Sequence, residues 1–452
     1  MLRHTLPQCR SQPSQRALLD VTTSPGSSSS MPSSTPSSSS PSPPSSSSDR
    51  IPTIAATQKH RSPTSPQHFY HNRIISQYAA RSPIRLTLRQ LMVFGRSLTE
   101  DRLLKSANYV REELPVRLAH RIQDFQRLPF IVVTNPHIAA VYSQYWGAFD
   151  ELRRVPEIRT LEENHLYCQR LTKLLDDHRV VIPQLALGIR EASCHFDPDA
   201  FVSTCLRGRI SRRVLAEQHI ALTHQFAQAK AKHLSHPASD PRPQYIGLLD
   251  TRCDVHALLH QCIASATEMT EREMGALTRL SPSSSSSPSS PGPSPKVIIE
   301  GVSPLTIPCH PEHLKYVLHE ILRNAMRYTR IAHPASDPGP VPPITVTLCA
   351  NAGDVVIRIS DRGGGIHGDP SRCFALGSNQ VEKAWKLPQF EAKVDEAIPE
   401  DVHLGIGLPM SRVYMEYWGG HLEVRTLVGW GTDVYIKMGR LGNIEEHLAF
   451  SS

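Results

Sequence analysis

The chain has 452 residues, which is long enough for two domains with separate cores. Its formal charge of +7 is mild for this length, and the sequence contains no apolar run long enough to span a membrane. Nine cysteines without a CxxC pair fit a reducing compartment better than a disulfide framework or a zinc site.

The first hundred residues are rich in arginine and serine, and their only acids are Asp20, Asp49 and Glu100. This composition is typical of an organelle transit peptide and predicts import into the mitochondrial matrix. A disordered basic arm that binds nucleic acid is the alternative, but no groove-reading motif follows it. The Ser/Pro tract at 24–48 buries too little apolar surface to fold, so we expect residues 1–84 to be transit peptide and disordered segment.

Helical signals dominate the next part of the chain. Amphipathic runs cover residues 99–124, 162–177 and 181–194, and prolines punctuate them where helices are expected to begin or end. We therefore predict a helical bundle over residues 85–280. A Ser/Pro-rich insert at 281–295 is expected to loop out after it.

The stretch from His310 to Arg330 carries apolar residues at three- and four-residue spacing, which predicts a helix packed on a core. Glu320 and Asn324 lie one turn apart on its other side, with Arg323 and Arg327 beside them. A solvated face is the structural alternative for such a charged set. Two later glycine-rich stretches favour a functional site instead.

The first of these stretches is a β-rich run that ends in Asp361, followed by Gly363–Gly365. Glycines there let a backbone approach a flat ligand, and the aspartate can accept a hydrogen bond from an exocyclic amine. The second is Leu404–Ser411, where glycines precede a helix whose free N–H groups can hold phosphate oxygens. A strand pair joined by the turn at 429–431 follows.

Four motifs, in this order, resemble the nucleotide-binding (GHKL) fold shared by histidine kinases, gyrase-type ATPases and the mitochondrial 2-oxo acid dehydrogenase kinases: HEILRNAMR, DRGGGI, GIGLP and GWGTDVYI. The residues of these motifs are most similar to those of the 2-oxo acid dehydrogenase kinases. The segments 103–132 and 174–191 are similar to the regulatory domain of the branched-chain 2-oxo acid dehydrogenase kinase. The resemblance implies an α+β chain, with the N-terminal helical bundle followed by a GHKL-type α/β sandwich ATP-binding domain at 296–445.

The resemblance also implies ATP and Mg²⁺ as cofactors and assigns roles to residues. Asn324 is expected to bind Mg²⁺, Asp361 to read the adenine amine, and Glu320 to accept the proton of an attacking serine hydroxyl. Arg323 and Arg327 bind phosphate or brace the helix, and both roles stay open. The other positions expected at the nucleotide are Gly363, Gly365, Gly405, Ile406, Gly407, Leu408 and Thr432.

Two places depart from the family pattern. His403 replaces a glycine of the second box, and Ser378 and Asn379 match poorly the hydroxyl pair of the lid. These departures keep a weakened or inactive kinase as an alternative. Another histidine, His178, has apolar neighbours, and a structural role is favoured over that of a phosphate carrier.

The leading hypothesis is a protein serine kinase that phosphorylates and inactivates the dehydrogenase component of a mitochondrial 2-oxo acid dehydrogenase complex, branched-chain or pyruvate. The family likeness further implies docking on a lipoyl-bearing acyltransferase core and a homodimer, with no nucleic acid partner. A histidine-kinase-type signalling protein is the second hypothesis, although the chain has no H-E-x-x-T-P acceptor motif. A non-catalytic nucleotide-binding scaffold is the third.

Overall fold

The computed structural model describes residues 66–192, 197–233, 244–279, 293–334, 339–375 and 406–448. The expected transit peptide ahead of residue 66, most of the insert at 281–295, and the positions Ser378, Asn379, His403 and Gly405 lie outside these ranges. No helix within the described ranges combines the length and the apolarity needed to cross a bilayer.

The first part of the chain is helical, as predicted. Threonine side chains cap three of its helices: Thr87 forms a capping box with Gln90, Thr99 accepts a hydrogen bond from Arg102 N, and Thr160 forms a capping box with Glu163. The helices are α1 (Pro66–Ala79), α2 (Leu88–Arg96), α3 (Glu100–Gln126), α4 (Phe130–Val133), α5 (Pro136–Leu152), α6 (Leu161–Asp177), α7 (Val181–Ala192) and α8 (Pro198–His233).

Helix α3 lies in the middle of this bundle and packs on α1, α5 and α8. Its buried residues Val110, Leu114 and Ile122 belong to one core with Ile75 of α1. Because Ile75 is fully buried, the folded bundle begins ahead of the predicted start at residue 85. The amphipathic signal of α1 is weak, which explains why the sequence did not reveal it.

The bundle also ends earlier than predicted. Two short strands, β1 (Tyr245–Ile246) and β2 (Leu249–Asp254), follow α8, and β2 pairs with β4 (Thr306–Cys309) in an antiparallel manner. Helix α9 (Val255–Arg279) then packs on α10 (Pro311–Ala332) in a second core, so the change of core comes near residue 250 rather than at 280. Apolar periodicity predicts a helix but not the partner on which it packs.

The main sheet has five strands in the order β3-β5-β6-β8-β7. Only β3 and β5 are parallel to each other; the other neighbours are antiparallel. Core residues of the strands share one cluster with α9, α10 and α11 (Gly407–Tyr417), which confirms the predicted α/β sandwich. The strands are β3 (Val297–Gly301), β5 (Ile344–Ala350), β6 (Asp354–Ser360), β7 (His421–Leu427) and β8 (Gly431–Gly439).

Candidate nucleotide-binding site

Helix α10 supplies the charged face that the sequence singled out. Pro311 stands in its first turn, and its apolar stripe, including Leu318 and Leu322, is fully buried. On the other side, Glu320 and Arg323 are only 9% and 8% exposed, so these two charged residues do not form a solvated surface. Burial of a charged pair requires a compensating arrangement, which the contacts of Glu320 reveal.

Glu320 is held by its own helix and by the start of α11. Its Oε2 accepts a hydrogen bond of 2.9 Å from Arg323 Nη2, and Nδ1 of His319 lies 4.0 Å from Oε1. A Cβ atom on Gly407 would stand 2.2 Å from Oε2, so only glycine fits there without displacing the carboxylate. The asparagine helix and the second glycine box therefore meet at Glu320.

The turn after β6 is built around the carboxylate of Asp361. Its Oδ1 accepts hydrogen bonds from the backbone N–H groups of Gly363, at 2.8 Å, and Thr432, at 3.2 Å. Burial raises the pKa of Asp361, while these two hydrogen bonds act in the opposite direction. Thr432 thus contacts Asp361 through its backbone N–H.

The glycine turn docks directly onto α10. A Cβ on Gly363 would lie 2.8 Å from Cβ of Tyr328, and Gly365 has φ +75° with its Cβ position 2.3 Å from the carbonyl oxygen of Leu427. Both positions therefore require glycine, for close approach and for backbone conformation respectively. Tyr328 lies about 12 Å beyond Glu320 along the helix axis, which sets the separation of the two glycine segments.

The start of α11 provides donors for an anion. Ile406 occupies the N-cap without a side-chain hydrogen bond to the first turn, and Gly407 and Leu408 form that turn. First-turn N–H groups without a side-chain acceptor attract anionic oxygens, with help from the helix dipole. Ile406 is buried, whereas Gly407 and Leu408 are half-buried.

Asn324 and Arg327 occupy the part of α10 between these two docking points, and both are half-buried. Among the described residues, the side chain of Asn324 has no hydrogen-bond partner. The guanidinium of Arg327 lies 6.0 Å from the ring of Tyr328. Their amide and guanidinium groups are therefore placed to meet a ligand that spans the two glycine segments.

Sequence reasoning missed several neighbours of this site. Thr426 Oγ1 accepts a 2.7 Å hydrogen bond from Ile366 N, and a Cβ on Gly431 would lie 2.0 Å from the carbonyl oxygen of Asp361. Glu273 of α9 lies 3.8 Å from Arg323. The glycine of the GWG turn was a visible signal for Gly431, but Thr426 and Glu273 had none.

His178 lies in the bundle, away from this charged face. It caps the end of α6, and its ring packs edge-on against Tyr145 with centroids 5.5 Å apart. Burial, followed by the positive charge of Arg212, lowers its pKa to about 4. These contacts support the structural role favoured from the sequence.

Comparison with known proteins finds separate matches for the helical bundle and for the domain that contains the main sheet. Residues 85–250 match the family model for mitochondrial branched-chain alpha-ketoacid dehydrogenase kinase, and residues 309–440 match the model for histidine kinase-, DNA gyrase B- and HSP90-like ATPases. Over both matched parts the chain is similar to the mitochondrial 2-oxo acid dehydrogenase kinases. The ATPase match spans α10, both described glycine segments and strands β5 to β8.

Curated relatives of this kinase family cover most of the chain. The mitochondrial pyruvate dehydrogenase (acetyl-transferring) kinase 2 of Saccharomyces cerevisiae is 28% identical over 446 residues, which covers 83% of this chain and 86% of the relative. The mitochondrial pyruvate dehydrogenase (acetyl-transferring) kinase of Arabidopsis thaliana is 28% identical over 374 residues, with coverage of 80% and 92%. The mitochondrial pyruvate dehydrogenase (acetyl-transferring) kinase isozyme 4 of Rattus norvegicus is 28% identical over 397 residues, which covers 84% of this chain and 87% of the relative.

Proposed function

We propose that this protein is an ATP-dependent serine kinase that phosphorylates, and thereby inactivates, the dehydrogenase component of a mitochondrial 2-oxo acid dehydrogenase complex. One observation carries the proposal: α10 touches both glycine segments, through Glu320 at Gly407 and through Tyr328 at Gly363. A carboxylate and an amide therefore lie on α10 between the glycine turn after β6 and the N-terminus of α11. Phosphoryl transfer needs this kind of positioning more than covalent help from the protein.

The nucleotide is expected to lie along α10. Asp361 accepts a hydrogen bond from the adenine amine, with Gly363 and Gly365 shaping the turn beside it and Thr432 holding the aspartate. The phosphates meet the start of α11, where we assign Gly405, Ile406, Gly407 and Leu408. Arg327 lies on the same stretch of α10 and is assigned to the phosphates.

We assign Asn324 to a Mg²⁺ ion that travels with the nucleotide. The residues present fit such an ion, because the amide oxygen is a hard ligand and has no competing hydrogen bond among the described residues. Within the same ranges no group of three or more acidic, histidine or cysteine side chains forms a separate metal cage. The bound ion would supply neutralisation of phosphate charge.

Glu320 is assigned as the general base. It lies one turn before Asn324, and its position against Gly407 puts the carboxylate next to the expected phosphates. Its Oε2 is oriented by Arg323, so the carboxylate is held in place before the substrate hydroxyl arrives. Proton removal by a positioned carboxylate contributes on the order of a hundredfold or more to such reactions.

The physiological partners follow from family likeness. The kinases in this family named in the comparisons are mitochondrial, and we infer a matrix location for this chain. Docking on a lipoyl-bearing acyltransferase core and homodimerisation belong to the same proposal. The bundle matches the branched-chain model, whereas the curated relatives are named for pyruvate dehydrogenase, so the substrate is to be decided by assaying both complexes side by side.

The deciding experiment combines labelling with nucleotide binding. Purified protein with ATP and Mg²⁺ is expected to transfer phosphate to serine of the dehydrogenase component, and Glu320→Gln is expected to abolish labelling while ATP still binds. Undiminished labelling by the variant would refute the assigned base. An acid-labile phosphohistidine would identify a histidine kinase, and ATP binding without turnover by the unchanged protein would identify a scaffold.

A further inference from the structure

Arg323 lies between two carboxylates from different helices. Its Nη2 donates a 2.9 Å hydrogen bond to Glu320 of α10, and its Nη1 lies 3.8 Å from Oε1 of Glu273 of α9. The three side chains are only 10–12% exposed. Both terminal nitrogens of the guanidinium thus face carboxylates, which disfavours a role for Arg323 in holding phosphate.

This arrangement divides one positive charge between two negative charges in a poorly solvated place. Opposite charges within about 4–6 Å stabilise the ionised form of a carboxyl group, and the effect grows as solvent is excluded. A guanidinium shared with Glu273 stabilises ionised Glu320 less than one that faces Glu320 alone. The carboxylate on α9 therefore acts on Glu320 through the guanidinium that they share.

We infer that Glu273, acting through Arg323, is a positioning residue that sets the proton affinity and the orientation of the general base Glu320. The inference rests on the proposed function, because it takes Glu320 as the base. It assigns Arg323 to bracing the base, the second of the two roles that the sequence left open. It also gives α9 a part in the reaction, although α9 lies outside the four sequence motifs.

Other groups face Glu320 and have to be accounted for. On α10 itself these are His319, with Nδ1 at 4.0 Å, and Tyr316, whose pKa is raised by burial and by the charge of Glu320. The backbone at Gly407 is the group of α11 that faces Glu320. Tyr316 stays neutral at ordinary pH, so Arg323 supplies the permanent positive charge beside the base.

Substitution of Arg323 and substitution of Glu273 are expected to shift the pKa of Glu320 in opposite directions. In Arg323→Gln the carboxylate loses its cation, so it binds a proton more readily, and the acid limb of the kcat–pH profile moves up by about one pH unit. In Glu273→Gln the guanidinium of Arg323 no longer faces a second carboxylate, so it stabilises ionised Glu320 more strongly. The acid limb of the kcat–pH profile therefore moves down by about half a pH unit. A general loss of packing would not produce opposite shifts.

The experiment measures kcat–pH profiles for serine labelling with the full chain, saturating ATP and Mg²⁺. Arg323→Gln should also lose about tenfold in kcat, Arg323→Lys should recover much of that loss, and ATP affinity by calorimetry should stay within about twofold in every variant. The matched control is Glu268→Gln, because Glu268 also lies on α9 but is 65% exposed and pairs with Arg272. Its profile should coincide with that of the unchanged protein.

Two results would overturn the inference. The first is a Glu273→Gln profile that cannot be distinguished from that of Glu268→Gln, which decides the matter even if Arg323→Gln fails to fold. The second is an Arg323→Gln protein whose KM for ATP is raised while its kcat–pH profile is unchanged. That result would make Arg323 a phosphate ligand. If the unchanged protein labels no serine, the proposed function fails instead, and ¹³C NMR titration of the Glu320 carboxyl in the same variants still decides whether Glu273 controls it.

Discussion

The carboxylate of Glu320 lies directly against Gly407, in the first turn of the neighbouring helix α11. This contact joins the helix that carries the proposed base to the helix end that is expected to hold the phosphates. It explains why a glycine follows Ile406, since any side chain at 407 would compete with the carboxylate for the same space.

Gly407→Ala should therefore reduce serine labelling by more than tenfold with little loss of stability. The added Cβ would stand 2.2 Å from Oε2, and the end of a flexible side chain can move aside at small energetic cost. A displacement of about 1 Å at a reacting group is enough to reduce turnover by up to a hundredfold. Initial rates of labelling and thermal melting measure the two effects.

Gly147→Ala is the matched control for this substitution. Gly147 lies inside α5, and a Cβ there would meet nothing within 4 Å. Activity should be unchanged and stability should rise by about 0.5–1 kcal/mol, because alanine loses less backbone freedom on folding. Full activity in the Gly407→Ala protein would contradict the placement of the base.

Asp361→Asn should weaken ATP binding by about tenfold to a hundredfold. The asparagine oxygen can still accept from Gly363 and Thr432, but its NH₂ group would face the adenine amine, so two donors meet. Isothermal calorimetry with a non-hydrolysable ATP analogue measures the change. Asp354→Asn, at the other end of β6 and paired with Lys437 at 3.0 Å, should bind the analogue normally; equal affinity in the two variants would refute the assignment of Asp361.

Glu446→Gln should destabilise the fold by about 3–5 kcal/mol, because it leaves the fully buried Arg117 with an incomplete counter-charge. Glu446 accepts hydrogen bonds from Arg117 at 2.6 and 3.1 Å and from the hydroxyl of Tyr417, and both charged side chains are 1% exposed. Urea denaturation measures the loss. Lys105→Gln removes an ion pair that is more than 70% exposed and should change stability by less than about 1 kcal/mol.

Stability should fall as the pH drops from about 6.5 towards 4, partly because of His219. This histidine is fully buried between Ser106 and Asn164, and burial lowers its pKa to about 4. Between the ordinary pKa of 6.5 and this value the unfolded chain binds a proton that the folded chain does not, so protonation favours unfolding. Lowering the pH from 7 to 5 should remove about 1–2 kcal/mol through this residue.

Denaturation curves at the two pH values test this expectation. His219→Gln should be less stable at pH 7, and its stability should depend less on pH over this range. A pH dependence equal to that of the unchanged protein would show that His219 does not contribute to the loss.

The sequence by itself determined the elements whose signals are local. Apolar spacing predicted α10 and its buried stripe, and the glycines after Asp361 and before α11 predicted two places of close backbone approach. Asp361 and Thr432 were both singled out, although their hydrogen bond joins residues far apart in the chain. The helix and the glycine segments are local features, because helix periodicity and the conformational freedom of glycine act within a few residues.

Tertiary structure alone decided which elements pack together. Helix α9 has the periodicity of a bundle helix, yet it packs on α10 and brings Glu273 to Arg323. Glu446 gave no sign in the sequence that it would be buried against Arg117, which lies 329 residues earlier. Pairings of this kind depend on the shapes and charges of surfaces that form only when distant segments fold together, and no local pattern encodes them.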